Sequence, residues 1–365
     1  MKRVTLVLIS LMALFITGCQ EKENQNQEVQ TSTADVETIE WKLVTSWPKN
    51  FPGLGMAPER FAKLVEEMSA GRLKIKVYGS GELMPAFEVF DAVSQGTVQM
   101  GHSAAYYWKG KTPAAQFFTS IPFGLNAQEM NGWLHYGGGM ELWEEVYEPF
   151  GIIPLAGGNT GVQMGGWFNK EINSMADLQG LKMRLPGLGG EVLKRVGGVP
   201  VTLPGRELYT ALQTGTIDAT EWVGPFNDLA FGLHKAAKFY YYPGWHEPGT
   251  TLEFIINKQA FATLPADLQS IVTVAARAIN QDMLDEYTSK HVIALASLID
   301  EHGVILKQYP DEVMKQLALV SKEVIREQSA KDATMDKVYK AYTKYEEGVR
   351  KYHKISEDAY TRIRE

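Results

Sequence analysis

Two short acidic runs have the residue types to hold a cation or to orient a polar ligand. The first is Thr216-Ile217-Asp218-Ala219-Thr220-Glu221-Trp222-Val223-Gly224-Pro225, and the second is Trp245-His246-Glu247-Pro248. In the first, an apolar strand start runs into a carboxylate beside a large aromatic, and Gly-Pro ends the run. A carboxylate at a strand end, next to backbone forced to turn, suits cation or polar-ligand binding. A second Glu, in a turn between Pro243 and Pro248, supplies the other half of such a cage. Two solvated loop glutamates are the alternative reading of the same residues. A third run, Leu181-Lys182-Met183-Arg184-Leu185-Pro186, alternates so that Arg184 leaves the face opposite the apolar residues just before Pro186 breaks the strand.

The elements that must position these residues read as α/β. Residues 41–46 alternate as a strand, 58–68 carry Phe61, Leu64, Val65 and Met68 at helical spacing, and 73–78 alternate again. Gly71 sits where a C-terminal cap belongs. This βαβ unit predicts a largely parallel sheet. Residues 92–101 are echoed by residues 211–220, each a helix ending at Gly followed by a strand. The first copy leads to Ser103, Tyr106, Tyr107 and Trp108, the second to Glu221 and Trp222. Two lobes of similar build would produce that echo, with ligand held beyond the carboxyl ends of their strands.

The Gly-rich run 155–161 suits a crossover or hinge, and residues 251–257 suit a second, buried one. A phosphate-cradling loop is rejected there because no Gly-Lys-Ser/Thr follows. His102 reads as a structural strand histidine. Residues 265–302, and then 310 to the end, read as helices. Met335, Val338, Tyr342, Tyr345, Val349 and Tyr352 recur at spacings of three and four, an apolar seam that packs either on its own lobe or against a partner subunit.

The chain has 365 residues, 45% hydrophobic, with a formal charge of −7, which is ample core material for two domains. No basic face favours nucleic acid. Lys2 and Arg3 precede an apolar stretch, residues 4–16, too short to span a membrane comfortably. It ends in Phe15-Ile16-Thr17-Gly18-Cys19, and Cys19 is the only cysteine, so no disulfide forms within the chain. The run looks like a lipobox whose thiol is diacylated after cleavage; an ordinary secretory signal is the alternative. Residues 20–38 are Glu/Gln/Asn/Thr-rich and read as a flexible tether.

The run 41–48, the Leu181-Lys182-Met183-Arg184 strand, the Gly215-Thr216-Ile217-Asp218-Ala219 turn and Glu221-Trp222 together resemble the solute-binding proteins of TRAP transporters, the tripartite ATP-independent periplasmic carriers of bacteria. The resemblance covers nearly the whole chain from Glu40 and is nearest to the branch that binds 2-oxo or 2-hydroxy monocarboxylates with a metal ion. It implies a two-lobed, periplasmic-binding-protein-like α/β fold with a ligand cleft between the lobes and long C-terminal helices. It further implies that Arg184 pairs with the substrate carboxylate and that Tyr106 or Tyr107 touches the ligand. Gln163, Glu221, the Trp222 backbone carbonyl and Glu247 would hold the metal, with Asn159 a neighbouring ligand candidate. An oxygen ligand set of this kind suits Na⁺ or Ca²⁺ and disfavours Zn²⁺.

The expected organisation is a lipoprotein signal peptide over 1–18, a tether over 19–38, lobe 1 over 39–160 with roughly 251–290, and lobe 2 over 161–250 with roughly 291–330. Residues 331–365 form a C-terminal helix that the resemblance assigns to a homodimer. The expected role is an exported, membrane-anchored binding protein that delivers a small carboxylate to TRAP membrane subunits, not an enzyme. Two other readings compete: the same scaffold for another organic acid, amino acid or sugar acid, and an exported metal-dependent enzyme using Glu221 or Glu247 as base. His246 is the only histidine beside the acidic pair, and no nucleophile–base pair is evident, which weighs against the enzyme.

Overall fold

The computed structural model describes residues 38–364. The expected signal peptide, Cys19 and all of the tether but Thr38 lie outside the described residues. No helix among the described residues is long and apolar enough to cross a membrane.

The strands are β1 (Ile39–Thr45), β2 (Leu73–Tyr78), β3 (Met100–Ser103), β4 (Ile152–Asn159), β5 (Gly166–Phe168), β6 (Lys182–Arg184), β7 (Val199–Val201), β8 (Ala219–Thr220), β9 (Phe239–Tyr242), β10 (Thr251–Asn257) and β11 (Ile305–Gln308). They form two sheets, a five-stranded one in the order β2-β1-β3-β10-β4 and a six-stranded one in the order β11-β9-β5-β8-β6-β7. Leu73, Ile75 and Val77 are buried and alternate with exposed Lys74 and Lys76, so β2 makes a sheet edge with one wet face. The helix Met56–Met68 turns Phe61, Ala62 and Val65 inward between β1 and β2, which pair in parallel.

The repeated motif resolves into one copy per sheet. The helices Val89–Ser94 and Leu208–Gln213 are followed by Gly96 and Gly215, at φ of 73° and 72°, and then by β3 and β8. An L-residue is strained at that φ, so glycine is what lets each chain leave its helix and enter its strand.

Two expectations are corrected. The sheets are mixed rather than largely parallel: β10 runs antiparallel to β3 and β4, and β5 runs antiparallel to β8 and β9. The reason lies in the connections. The chain passes directly from β4 to β5 and from β9 to β10, between sheets and without a helix, and only parallel neighbours need a helical crossover. The C-terminal helix expected over 331–365 is also not continuous. The region divides into Asp311–Ser329, Ala333–His353 and Glu357–Arg364, after an edge strand, β11, that the reading missed. Asp332 caps the middle helix by accepting a hydrogen bond from Met335 N at 2.7 Å, which starts a new helix there.

The seam expected on this helix is used within the chain over its first half. Met335, Val338 and Tyr342 are buried. The Tyr342 ring lies 5.0 Å from Trp133, centroid to centroid, and its hydroxyl accepts from Leu125 N at 2.7 Å. Further along, Tyr352, Ile355, Tyr360 and Ile363 stand exposed.

Candidate functional site

Arg184 ends β6, and Thr220, its register partner, ends the parallel neighbour β8. Glu221 therefore follows onto the same edge, with its N–H donating to Arg184 O at 3.3 Å. Both side chains are buried, Arg184 at 1% and Glu221 at 0% exposure, and Arg184 Nη1 donates to Glu221 Oε1. Arg184 Nε donates to Leu203 O at 3.2 Å, and Nη2 to the Tyr107 hydroxyl at 3.0 Å. The guanidinium carbon lies 5.1 Å from the Trp222 ring centroid. Tyr107 comes from the 3-10 turn Ala105–Trp108 that follows β3, so one guanidinium ties a strand end of the second sheet to a turn of the first.

The two direct connections between sheets lie side by side and carry the other residues. Thr160 N donates to Thr250 O at 3.0 Å, Gln163 N to Glu247 O at 3.1 Å, and Gly244 N to Gln163 O at 2.8 Å. Gln163 Nε2 donates to the Thr160 and Thr250 hydroxyls, each at 3.2 Å, and the Thr250 hydroxyl donates to Glu247 Oε2 at 2.7 Å. These contacts leave Gln163 Oε1, Glu221 Oε2 and both ring nitrogens of His246 buried with no hydrogen-bond partner. Buried oxygens without donors are costly, and a cation is the simplest partner for several at once. Ligand atoms of Glu221, His246 and Glu247 all fall within 4.8 Å of one another. The oxygen donors, two carboxylates and an amide, fit a hard cation, and the His246 imidazole stands beside them.

The charges agree with that fit. Burial, reinforced by the Glu221 charge, pushes the Glu247 carboxyl well above the ordinary carboxylate range. Burial alone would lower the Arg184 guanidinium, but Glu221 and then the two tyrosines and Glu247 hold it raised overall. Two glutamates thus share one arginine. A small pocket lies beside them, lined by Trp47, Tyr106, Tyr107, Gln163 and Trp222 among others. A larger groove runs elsewhere, between residues 117–123 and the helices Asp311–Ser329 and Ala333–His353. Volume favours the groove; buried, convergent and perturbed polar groups favour the pocket, and those mark a site better than size does.

Of the residues singled out from the sequence, the structure brings Arg184, Tyr106, Tyr107, Gln163, Glu221, Trp222 and Glu247 together. Asn159 stands apart chemically: its amide donates to Gly249 O and Thr251 Oγ1 and accepts from Gly161 N, which commits it to the crossover. His102 is satisfied, with Trp47 Nε1 donating to its Nδ1 at 2.8 Å and its Nε2 at 3.0 Å from Gly157 O. Sequence reasoning did not assign His246, Thr160 or Thr250 to the site. Only the adjacency of His246 to Glu247 could have signalled it, because Thr160 and Thr250 meet Gln163 through the pairing of distant loops.

Two further carboxyls are buried near the cleft. Burial raises Glu253 from 4.5 to about 7 and Asp228 from 3.8 to about 7, against hydrogen bonds that pull both down. A raised folded value means that the fold prefers the neutral acid. Its contribution is fully present below the unfolded value and is lost as pH rises through about 7. Between pH 5 and pH 8 the protein is expected to lose about 2–3 kcal/mol of stability relative to Glu253→Gln, read by urea unfolding at both pH values. A difference that stays constant would show that Glu253 does not titrate in that window.

Residues 43–332 match the family model described as bacterial extracellular solute-binding protein, family 7. The chain is 44% identical over 335 residues to the monocarboxylate 2-oxoacid-binding periplasmic protein of Nostoc sp. strain PCC 7120, covering 91% of this chain and 92% of that one. It is similar to a TRAP periplasmic solute-binding protein of Pseudoalteromonas atlantica T6c solved with bound sodium and pyruvate, at 47% identity and a TM-score of 0.87, over 89% of this chain and 99% of that one. A TRAP transporter solute-binding protein of Bordetella bronchiseptica RB50, a dimer with copurified calcium and picolinate in one active site, is 37% identical with a TM-score of 0.88, over 90% of this chain and 97% of that one. A family model matched over most of the chain, together with a relative matched nearly end to end, places this protein in family 7 of the bacterial extracellular solute-binding proteins, the solute-binding components of TRAP transporters.

Proposed function

We propose that this protein captures a small 2-oxo monocarboxylate such as pyruvate, together with Na⁺ or Ca²⁺, and delivers it to a TRAP membrane carrier. The observation that carries this reading is a buried arginine facing two buried glutamates, in a pocket where Gln163 Oε1 and Glu221 Oε2 have no partner. The names of the relatives and their bound ligands support the choice of ligand class. In this reading Arg184 pairs with the ligand carboxylate and Tyr107, with Tyr106 beside it, completes the grip. Gln163, Glu221, the Trp222 backbone carbonyl and Glu247 hold the cation. A bound cation offsets the two glutamates and chelates a carboxylate oxygen and the adjacent 2-oxo oxygen in a five-membered ring, which a plain fatty acid cannot form. Asn159 acts by fixing the crossover rather than by touching the ligand.

Closure is part of this reading. Lobe 1, residues 39–160 with roughly 251–290, and lobe 2, residues 161–250 with roughly 291–330, would close about the paired connections, 160–165 and 243–250; residues 251–257, expected as the second crossover, form β10 inside the five-stranded sheet instead. Removal of residues 1–18 and acylation of Cys19 would tether the protein on the outer side of a membrane. The exposed Tyr352, Ile355, Tyr360 and Ile363 would join two copies through the C-terminal tail, supported by the dimeric Bordetella relative. Ile355→Asp with Ile363→Asp, both exposed and harmless to the core, should give a monomer by light scattering; a surviving dimer removes the tail from the contact.

Calorimetry on residues 20–365, stripped of ligand, tests the function. Pyruvate, 2-oxobutyrate, lactate and glutamate would each be titrated with chelator, with Na⁺ and with Ca²⁺. Binding of 2-oxoacids that requires one of the cations is the expected result. A preference for glutamate, or binding indifferent to chelator, would overturn the ligand class.

A further inference from the structure

Two carboxyls that touch neither the proposed acid nor the proposed cation are held in the same unusual way, one for each half of the site. Glu253, in the middle of β10 and 0% exposed, accepts from Trp108 Nε1 and from the Tyr147 hydroxyl, the latter at 2.8 Å. Asp228, 1% exposed, accepts through Oδ2 from Trp167 Nε1 at 2.9 Å and the Tyr240 hydroxyl at 2.7 Å. Its Oδ1 accepts from Val223 N at 3.3 Å and Gly224 N at 3.2 Å. All of these donors are neutral groups. A carboxyl buried without a cation is either charged at a cost of several kcal/mol or held neutral, and an apolar residue of like size would avoid both.

What each carboxyl holds is specific. Trp108 directly follows Tyr107, whose hydroxyl meets Arg184, and both lie in one 3-10 turn. Val223 and Gly224 directly follow Glu221-Trp222, so Asp228 fixes the turn on which those two residues stand. An indole N–H can only donate, and a carboxyl offers it an acceptor that tolerates no donor in its place. Each indole thereby admits one orientation of its neighbouring segment.

We propose that Glu253 and Asp228 are positioning residues for ligand capture, Glu253 setting Tyr107 through Trp108 and Asp228 setting the Glu221-Trp222 turn. The inference rests on the site assigned above and divides it in two. Loss of the Glu253 anchor disturbs the grip on the acid, and loss of the Asp228 anchor disturbs the cation. Glu253→Gln has a partial solution, with its oxygen on Trp108 and its amide facing the Tyr147 oxygen. Asp228→Asn has none, because its amide must confront either the indole N–H or two backbone N–H groups.

The test uses Glu253→Gln, Asp228→Asn and, as a destabilised control, Leu298→Ala, a fully buried residue near the end of the long helix Ala266–Asp300. Glu253→Gln should weaken pyruvate binding at saturating Ca²⁺ about tenfold and leave Ca²⁺ affinity without pyruvate within about twofold. Asp228→Asn should weaken Ca²⁺ affinity tenfold or more. Leu298→Ala should lower Tm comparably and move neither affinity. If both anchor variants behave like the control, with only Tm shifted, they are structural acids and the proposal is overturned. A parent protein that takes up neither Ca²⁺ nor pyruvate would instead sink the site assignment, and hydrogen exchange without ligand then decides the anchors. Faster exchange confined to residues 104–110 in Glu253→Gln and to 221–228 in Asp228→Asn supports them; unchanged or diffuse exchange overturns them.

Discussion

Arg184→Ala is expected to abolish useful binding of a 2-oxoacid, lowering affinity by roughly a hundred- to several-thousand-fold at saturating Ca²⁺, the equivalent of about 3–5 kcal/mol for one partner removed from a buried pair. The size follows from what the side chain does at once. Its three nitrogens are aimed by Leu203 O, Glu221 and the Tyr107 hydroxyl, so the fork is held in place before any ligand arrives. Without it, Glu221 and Glu247 face an anionic ligand with no positive side chain between them. Arg184→Lys should fall between the two, since an ammonium restores the charge but not the planar fork. Calorimetry with Ca²⁺ held in excess measures both variants. Affinity that survives in Arg184→Ala would mean that the carboxylate points elsewhere and that the ligand orientation is reversed.

That arginine was legible because a strand, an alternating pattern and a terminating proline all act within six residues. Glu221-Trp222 was legible for a similar reason: the helix, Gly215 and the strand are contiguous, and the φ of 72° at Gly215 explains why that glycine marks the junction. What joins distant parts of the chain was not legible. The anchor between Trp108 and Glu253 spans 145 residues, and nothing in either local sequence names the other. His246 approaches Glu221 only because the β9–β10 connection lies along the β4–β5 connection. The antiparallel entries of β5 and β10 escaped notice because a buried strand shows the same apolar run whichever way it points; all seven residues of β10 are buried. A separate helix beginning near residue 331 was expected, and the Asp332 cap places its start at Ala333, whereas the interruption between His353 and Glu357 was not.

Acid and cation are expected to strengthen each other by the same factor, on the order of tenfold to a hundredfold. The structure supplies a reason in the double duty of Glu221. Its Oε1 holds Arg184 Nη1, while its Oε2 has no hydrogen-bond partner and stands 3.7 Å from His246 Nε2. Every bit of Glu221 charge directed at Arg184 is unavailable to a cation, and the arginine fork it occupies is unavailable to the acid. Bringing both ligands together relieves both restrictions, whereas either alone relieves one. Pyruvate titrated in Ca²⁺ and in chelator gives one factor, and Ca²⁺ titrated with and without pyruvate gives the other. Glu221→Gln keeps the shape and removes the shared charge, so its factor should fall toward one even where some binding remains. Glu247→Gln, which does not bond to Arg184, should weaken Ca²⁺ but preserve more of the coupling. If Glu221→Gln retains the full factor, the coupling runs through lobe closure rather than through this carboxylate.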